Sequence, residues 1–250
     1  MYSIVSKLAT LAILAASMSM AMPLEPRATA KVYSKCSKPG TYALTFDDGP
    51  YEYTWKLADD LKAAGVKATF FINGNNWVNV ATDSVDTSSG KKTYKQVLKH
   101  VYDQGHQIGS HTYGHKELSS LSASEVKSQM NKLSDIIYST IGKRPAFMRP
   151  PAGDYDEKTL EVLGQLGYKV IMWDIDTLDW KTHNLNSEMQ IVKDALNNAP
   201  ASNSGHIALE HETYDQTVKQ FVPKVVELVK SKGYKMVTVA ECLGYSNAYQ

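Results

Sequence analysis

Among 250 residues there are only two cysteines, Cys36 and Cys242. No sign of charge dominates: 27 lysines and arginines face 26 aspartates and glutamates, for a formal net charge of +1. No basic stripe runs along any segment, which argues against a nucleic-acid partner. Past the amino terminus the chain has no long apolar run, low-complexity tract or charge block, so neither a spanning helix nor a flexible linker divides it. Residues 244–250 are polar and offer no hydrophobic tail for a lipid anchor. A Gly-x-Ser-x-Gly elbow is also missing, so nothing points to a serine nucleophile on such a turn.

The one apolar stretch, Leu8 to Met22 behind Lys7, is too short and too rich in small residues to span a membrane. It reads as a secretory signal, with Ser19-Met20-Ala21 as a small-x-small cleavage site. The expected organisation is a signal peptide at 1–21, a polar lead-in or short pro-segment at 22–35, and one folded domain at 36–250. Secretion would put Cys36 and Cys242 in an oxidising compartment, where a bridge between them would tie the ends of a closed fold. Closing so long a loop stabilises by roughly 3–5 kcal/mol on the chain-entropy view. Two buried free thiols are the alternative. The 15 tyrosines and 4 tryptophans supply flat faces of the kind sugar clefts use, although cores need them too.

What the chain does contain is a repeated unit. Four amphipathic helices end in glycine (Gly65, Gly105, Gly167, Gly233), and a strand follows about two residues later: Lys67–Ile72, Gln107–Ser110, Lys169–Trp173 and Lys235–Val239. Ser122-x-x-Glu125 is a capping box ahead of Val126, Met130, Leu133, Ile137 and Ile141 at helical spacing. Val218, Phe221, Val222, Val225 and Val229 form a second apolar stripe. Further strands at Tyr42–Phe46, Ala146–Met148 and His206–Glu210 complete an alternating series. Such alternation predicts an α/β fold with parallel strands. A distorted (β/α) barrel of about seven parallel strands is favoured over a doubly wound sheet, because only a barrel gathers every strand end into one mouth.

Five polar clusters sit at those ends: Thr45-Phe46-Asp47-Asp48-Gly49-Pro50, His111-Thr112-Tyr113-Gly114-His115, Arg149-Pro150-Pro151, Asp176-Thr177-Leu178-Asp179-Trp180 and Leu209-Glu210-His211. Two adjacent carboxylates can divide labour, one binding metal and one taking a proton. Histidines four apart face one way on a helical turn, and with a carboxylate they complete a three-ligand metal site with an open position. Arg149, stiffened by two prolines, could hold a catalytic carboxylate. Asp176 or Asp179 could partner a histidine, and Trp180 could form an aromatic wall, whereas Trp173 and Asp174 read as structural. A histidine paired with a carboxylate can arrive protonated as a general acid, which suits His211. His100, His106, His183 and His206 have no evident partners. Each cluster alone is ambiguous, since an Asp-Asp-Gly-Pro string is usually a plain turn and surface histidine pairs are common. A non-haem iron facial site is another use of two histidines and a carboxylate, but it leaves Asp47, Arg149 and His211 without a task.

In order and wording the five clusters resemble the NodB-like polysaccharide deacetylases, carbohydrate esterase family four, and within them the secreted fungal chitin deacetylases. The resemblance extends from Tyr42 to Leu243. It implies a metal-dependent hydrolase that removes N-acetyl groups from chitin or chitooligosaccharides, acting outside the cell or in its wall as a monomer. Asp48, His111 and His115 would bind a divalent metal, zinc or cobalt; Asp47 would be the general base, positioned by Arg149. His211 would be the general acid, oriented by Asp179. Trp180 and Leu209 would line the acetyl pocket, and the Thr112 hydroxyl would brace the histidine loop. The chain departs from the family pattern at Ala152, where an aromatic residue usually stands; its backbone N–H would still serve the oxyanion. Glu212 replaces the aspartate that commonly follows the acid histidine. Two neighbouring functions remain open on this reading: an O-deacetylase of acetylated xylan, and an inactive relative that only binds glycan.

Overall fold

The computed structural model describes residues 29–250. The expected signal peptide and the first part of the lead-in lie outside the described residues.

Among the described residues, nine strands form one parallel sheet: β1 (Val32–Tyr33), β2 (Thr41–Asp47), β3 (Thr69–Ile72), β6 (Gln107–Ser110), β7 (Phe147–Met148), β8 (Lys169–Ile171), β9 (Ile175–Asp176), β10 (His206–His211) and β11 (Lys235–Met236). Their order is β1-β8-β7-β6-β3-β2-β10-β9, with β11 beside the start of β2. Among the described residues the hydrogen-bonded path is open between β1 and β9, so they form an incomplete barrel. All seven expected strands are present. The two added ones, β1 and β9, are two residues long, too short for an alternation pattern to reveal. Val32 and Tyr33 pair with Val170 and Ile171, so part of the expected lead-in belongs to the sheet. Outside this sheet, residues 84–93 form an antiparallel hairpin of β4 (Ser84–Thr87) and β5 (Gly90–Thr93).

The helices are α1 (Thr54–Ala63), α2 (Tyr94–Asp103), α3 (Ala123–Ile141), α4 (Glu157–Gln165), α5 (Asp179–Thr182), α6 (Leu185–Asn198), α7 (Val222–Ser231) and α8 (Val239–Cys242). Among the described residues none is long and apolar enough to cross a membrane. The capping box on α3 is formed, with Ser122 and Glu125 each accepting from the other's backbone. Gly105 and Gly233, at φ 90° and 82°, end their helices in the left-handed region that a side chain would strain.

Alternation along β2 sorts the core. Tyr42, Leu44 and Phe46 point outward and pack with Leu57, Val97, Val192 and Val225 from the helices. Ala43 points inward to Phe71, Phe147, Ile171 and Ile207, where α8 plugs the lower end of the barrel. The Cys36–Cys242 disulfide, with Cα atoms 5.0 Å apart, fastens that plug across 206 residues of sequence. Above this apolar floor the inward positions become Thr45, Asp47 and Arg149, all buried. That polar layer lies directly beneath the carboxyl ends of the strands.

Candidate active site

One cleft of about 350 Å³ opens over those strand ends. Asp47, Asp48, His111, His115, Ala152, Trp180, Leu209 and His211 line it. Arg149 and Asp179 lie behind the wall, each bonded to a lining residue. All ten expected polar and pocket residues therefore converge.

Asp48, His111 and His115 offer ligand atoms within 4.8 Å of one another. Asp48 Oδ1 is 3.1 Å from His115 Nε2 and 3.6 Å from His111 Nε2. His111 donates Nδ1–H to the Arg149 carbonyl at 2.8 Å, which leaves its Nε2 lone pair facing Asp48. Burial would raise the Asp48 carboxyl. The His115 hydrogen bond and the charges of His111, His115 and His211 outweigh it and hold the group down at about 2. Burial holds His111 below the usual imidazole range, against the pull of Asp47 and Asp48, while its bond to Asp48 raises His115. A deprotonated carboxylate and a neutral, oriented imidazole are the forms a metal needs. Two nitrogens and one oxygen around an open side fit a divalent ion.

The histidine pair does not sit on a helical turn, as the spacing suggested. Thr112 and His115 have φ of 69° and 49°, so the loop twice enters the left-handed region and turns both rings inward without a helix. The Thr112 hydroxyl is not the brace: it is buried with no hydrogen-bond partner. Asn73 at the end of β3 does that work, donating to the carbonyls of His111 and Thr112 at 2.5 and 3.0 Å. Nothing local in the sequence marks Asn73 for this, because the contact spans 38 residues.

Arg149 is fully buried. Nη1 donates to Asp47 Oδ1 at 2.8 Å and to the Thr45 hydroxyl at 2.7 Å, and Nε and Nη2 donate to the Ile171 and Met172 carbonyls. Its guanidinium lies 4.5 Å from the Phe71 ring centre and 5.4 Å from that of Trp173. Trp173, read from sequence as structural, is thus both a support for Arg149 and a wall of the cleft. Its place at the end of an expected strand was the available signal. Asp47 Oδ2 stays on the cleft side, 3.8 Å from His111 Nε2.

On the opposite wall His211 Nδ1 lies 2.9 Å from Asp179 Oδ1. Burial would lower the imidazole pKa. The hydrogen bond and charge of Asp179, with Asp47 and Asp48, overcome this and raise it to about 9. Trp180, 46% exposed, and Tyr214 extend this wall. Ala152 occupies a tight turn at φ 53° and keeps only a methyl where a ring would narrow the cleft. Glu212 is wholly buried, and its carboxyl fills the space where a side chain at Gly49 would point. Its oxygens have no hydrogen-bond partner, and burial drives its pKa well up.

The remaining histidines lie outside the cleft, yet all four have partners: His183 meets the Tyr214 ring edge to face at 4.8 Å. His100 stacks on Trp55 and bonds Asp59, His106 bridges Ala68 and Ala58, and His206 bonds Asp174.

Comparison with known proteins bears on most of the chain. Residues 34–171 match the family described as polysaccharide deacetylase. A chitin deacetylase of Pestalotiopsis sp. is 39% identical over 241 residues, covering 95% of this chain and 76% of that one. A chitin deacetylase of Colletotrichum lindemuthianum is 38% identical over 214 residues, covering 84% and 82%. The solved structure of the chitin deacetylase from that fungal pathogen superposes with a TM-score of 0.79 at 35% identity, over 89% of this chain and 96% of that one.

Proposed function

The chain belongs to the polysaccharide deacetylase family, and from that premise we propose that it is a secreted, zinc-dependent N-deacetylase of chitin or chitooligosaccharides. The observation that carries the reading is one cleft with two separate proton-handling groups, Asp47 and His211, on either side of the Asp48–His111–His115 cluster.

Asp48, His111 and His115 would hold the metal. When bound, a zinc ion supplies Lewis acidity toward the acetyl carbonyl and toward water. Asp47 is the base: Arg149 occupies Oδ1, which leaves Oδ2 free to accept a proton from the attacking water. The Ala152 N–H stabilises charge on the former carbonyl oxygen; such a donor is typically worth about 10²–10³ in rate. His211, protonated and held by Asp179, gives its proton to the departing amine nitrogen. Acetate and a free glucosamine unit result, with no covalent enzyme intermediate. Trp180, Leu209, Trp173 and Tyr214 flank the acetyl group and the sugar faces.

Secretion rests on the apolar segment 8–22 and agrees with a disulfide, which persists in oxidising compartments. We place the start of the folded unit before Cys36, because β1 is hydrogen-bonded into the sheet. The protein acts as a monomer in this reading. Parallel acetate-release assays on chitin oligomers and acetylated xylan test the substrate. Release from chitin oligomers at least tenfold faster than from xylan is expected. The reverse preference would make the enzyme an O-deacetylase, and release from neither would make it a glycan-binding relative.

A further inference from the structure

Asp179 is bonded to capacity. Oδ1 accepts from the Trp180 N–H at 2.8 Å and from His211 Nδ1–H at 2.9 Å. Oδ2 accepts from the His211 N–H at 2.8 Å and from the Thr217 hydroxyl at 2.9 Å. A carboxylate presents about four lone-pair directions, so none is left over. Three of the donors come from His211 itself or from the next residue in the chain. Thr217 alone comes from a separate element, the single π turn Thr217–Phe221 that leads into α7.

The neighbourhood of that turn is built as a clamp. Thr217 is fully buried and lies outside the cleft lining, so it touches no substrate. Next to it, Gln216 donates Nε2–H to Glu188 Oε2 at 2.9 Å. Glu188, buried on α6, accepts through Oε1 from the Thr182 hydroxyl at 3.2 Å and the Asn184 N–H at 2.7 Å. Helix α5 runs from Asp179 to Thr182. Its first residue is therefore held by Thr217 and its last by Glu188, with Gln216 joining Glu188 to the π turn. A single turn of π geometry inside a helix is a recurrent feature of functional sites, and here it delivers a hydroxyl to the back of a carboxylate.

We propose that Thr217 is a positioning residue for the deacetylation acid: its hydroxyl fixes the rotation of the Asp179 carboxylate and, through it, the His211 imidazole with Nε2 toward the cleft. The proposal rests on the deacetylase reading for its kinetic consequence but not for its geometry. Removing the hydroxyl leaves Oδ2 with one donor and lets the carboxylate turn about Cβ–Cγ. Proton delivery then weakens while substrate contacts remain, so kcat falls and KM does not change.

The test uses the full zinc-loaded protein with Thr217→Val, Thr217→Ser, Asp179→Asn and the Val/Asn double variant. Thr217→Val is expected to lower kcat about tenfold with KM unchanged, and Thr217→Ser to restore it to within about twofold. Asp179→Asn costs on the order of 10³, by analogy with other oriented histidines, and adding Thr217→Val to it costs nothing more. By NMR, the low-field Nδ1 proton of His211, assigned against His211→Gln, persists in wild type and Thr217→Ser and broadens by exchange in Thr217→Val. Should Thr217→Val fail to fold, Thr217→Ala carries the same measurements. An unchanged kcat and Nδ1 signal in the folded variant would overturn the proposal. So would a Thr217→Val loss that is undiminished in the Asp179→Asn background, or a loss that serine does not rescue. A wild type that releases no acetate refutes the deacetylase reading alone, and the Nδ1 signal still decides the role of Thr217.

Discussion

Strand β10 carries a histidine–aspartate pair at each end. His206, its first residue, bonds Asp174 at 2.7 Å, and His211, its last, bonds Asp179 at 2.9 Å; both contacts use Nδ1 and both span 32 residues. In each pair the carboxylate also accepts a backbone N–H from the strand, Ile207 for Asp174 and His211 for Asp179. The two differ in where Nε2 points. Five residues apart, roughly 16 Å along an extended strand, the histidines fall on opposite faces. His206 turns outward, between the rings of Tyr42 and Tyr234, and its Nε2 is buried without a partner. His211 turns inward and upward into a cleft that also holds Asp47 and Asp48. A histidine–aspartate pair is therefore not itself a catalytic signature. What sets the His211 pair apart is the carboxyl end of a parallel strand, an Nε2 toward the cleft and carboxylates across the gap.

Breaking each pair in turn should separate the two roles. Asp179→Asn is expected to cost on the order of 10³ in kcat, because the histidine loses the partner that sets its tautomer and charge. Asp174→Asn should leave acetate release within about threefold of wild type and lower stability by roughly 1–3 kcal/mol. Steady-state kinetics and urea denaturation on both variants check this. A comparable kinetic loss in Asp174→Asn would erase the distinction.

A smaller effect sharpens the same contrast through pH. The folded-state pKa of His211 is raised to about 9, against an ordinary imidazole value of ~6.5. A raised pKa contributes stability that is complete below about 6.5 and is lost as pH climbs through about 9, in all roughly 3 kcal/mol. Urea denaturation of metal-free protein between pH 6 and pH 10 should show that decline, and both His211→Gln and Asp179→Asn should flatten it. An equal decline in His211→Gln would assign it to other groups. With a divalent cation bound nearby, the imidazole pKa falls, so the alkaline limb of activity lies below that of the metal-free stability curve.

What could be read in the sequence follows from how local each feature is. The strands ending at Asp47, Ser110 and His211, the capped helix α3 and the left-handed glycines were legible because short patterns encode them. That Asp47, Asp48, His111, His115, Arg149 and His211 converge was legible because each stands in a compact cluster at such an end. Features made by distant packing were not. Asn73 bracing the histidine loop, Trp173 under Arg149, the Glu188–Gln216 strut and Thr217 behind Asp179 all depend on segments brought together by the fold. Positive φ at Thr112 and His115 also defeated the helical reading of the histidine pair, since spacing alone cannot distinguish a helical turn from a loop that twists twice.

The central claim is that Asp48, His111 and His115 hold a metal for a reaction in which Asp47 is the base. It is tested most directly by acetate release from chitin oligomers after chelation, with and without added zinc, in wild type and Asp47→Asn. Release that chelation abolishes and zinc restores in wild type, and that is lower by a factor on the order of 10² or more in Asp47→Asn with zinc present, is the predicted result. Chelation-resistant release, or an Asp47→Asn variant as active as wild type, would contradict it.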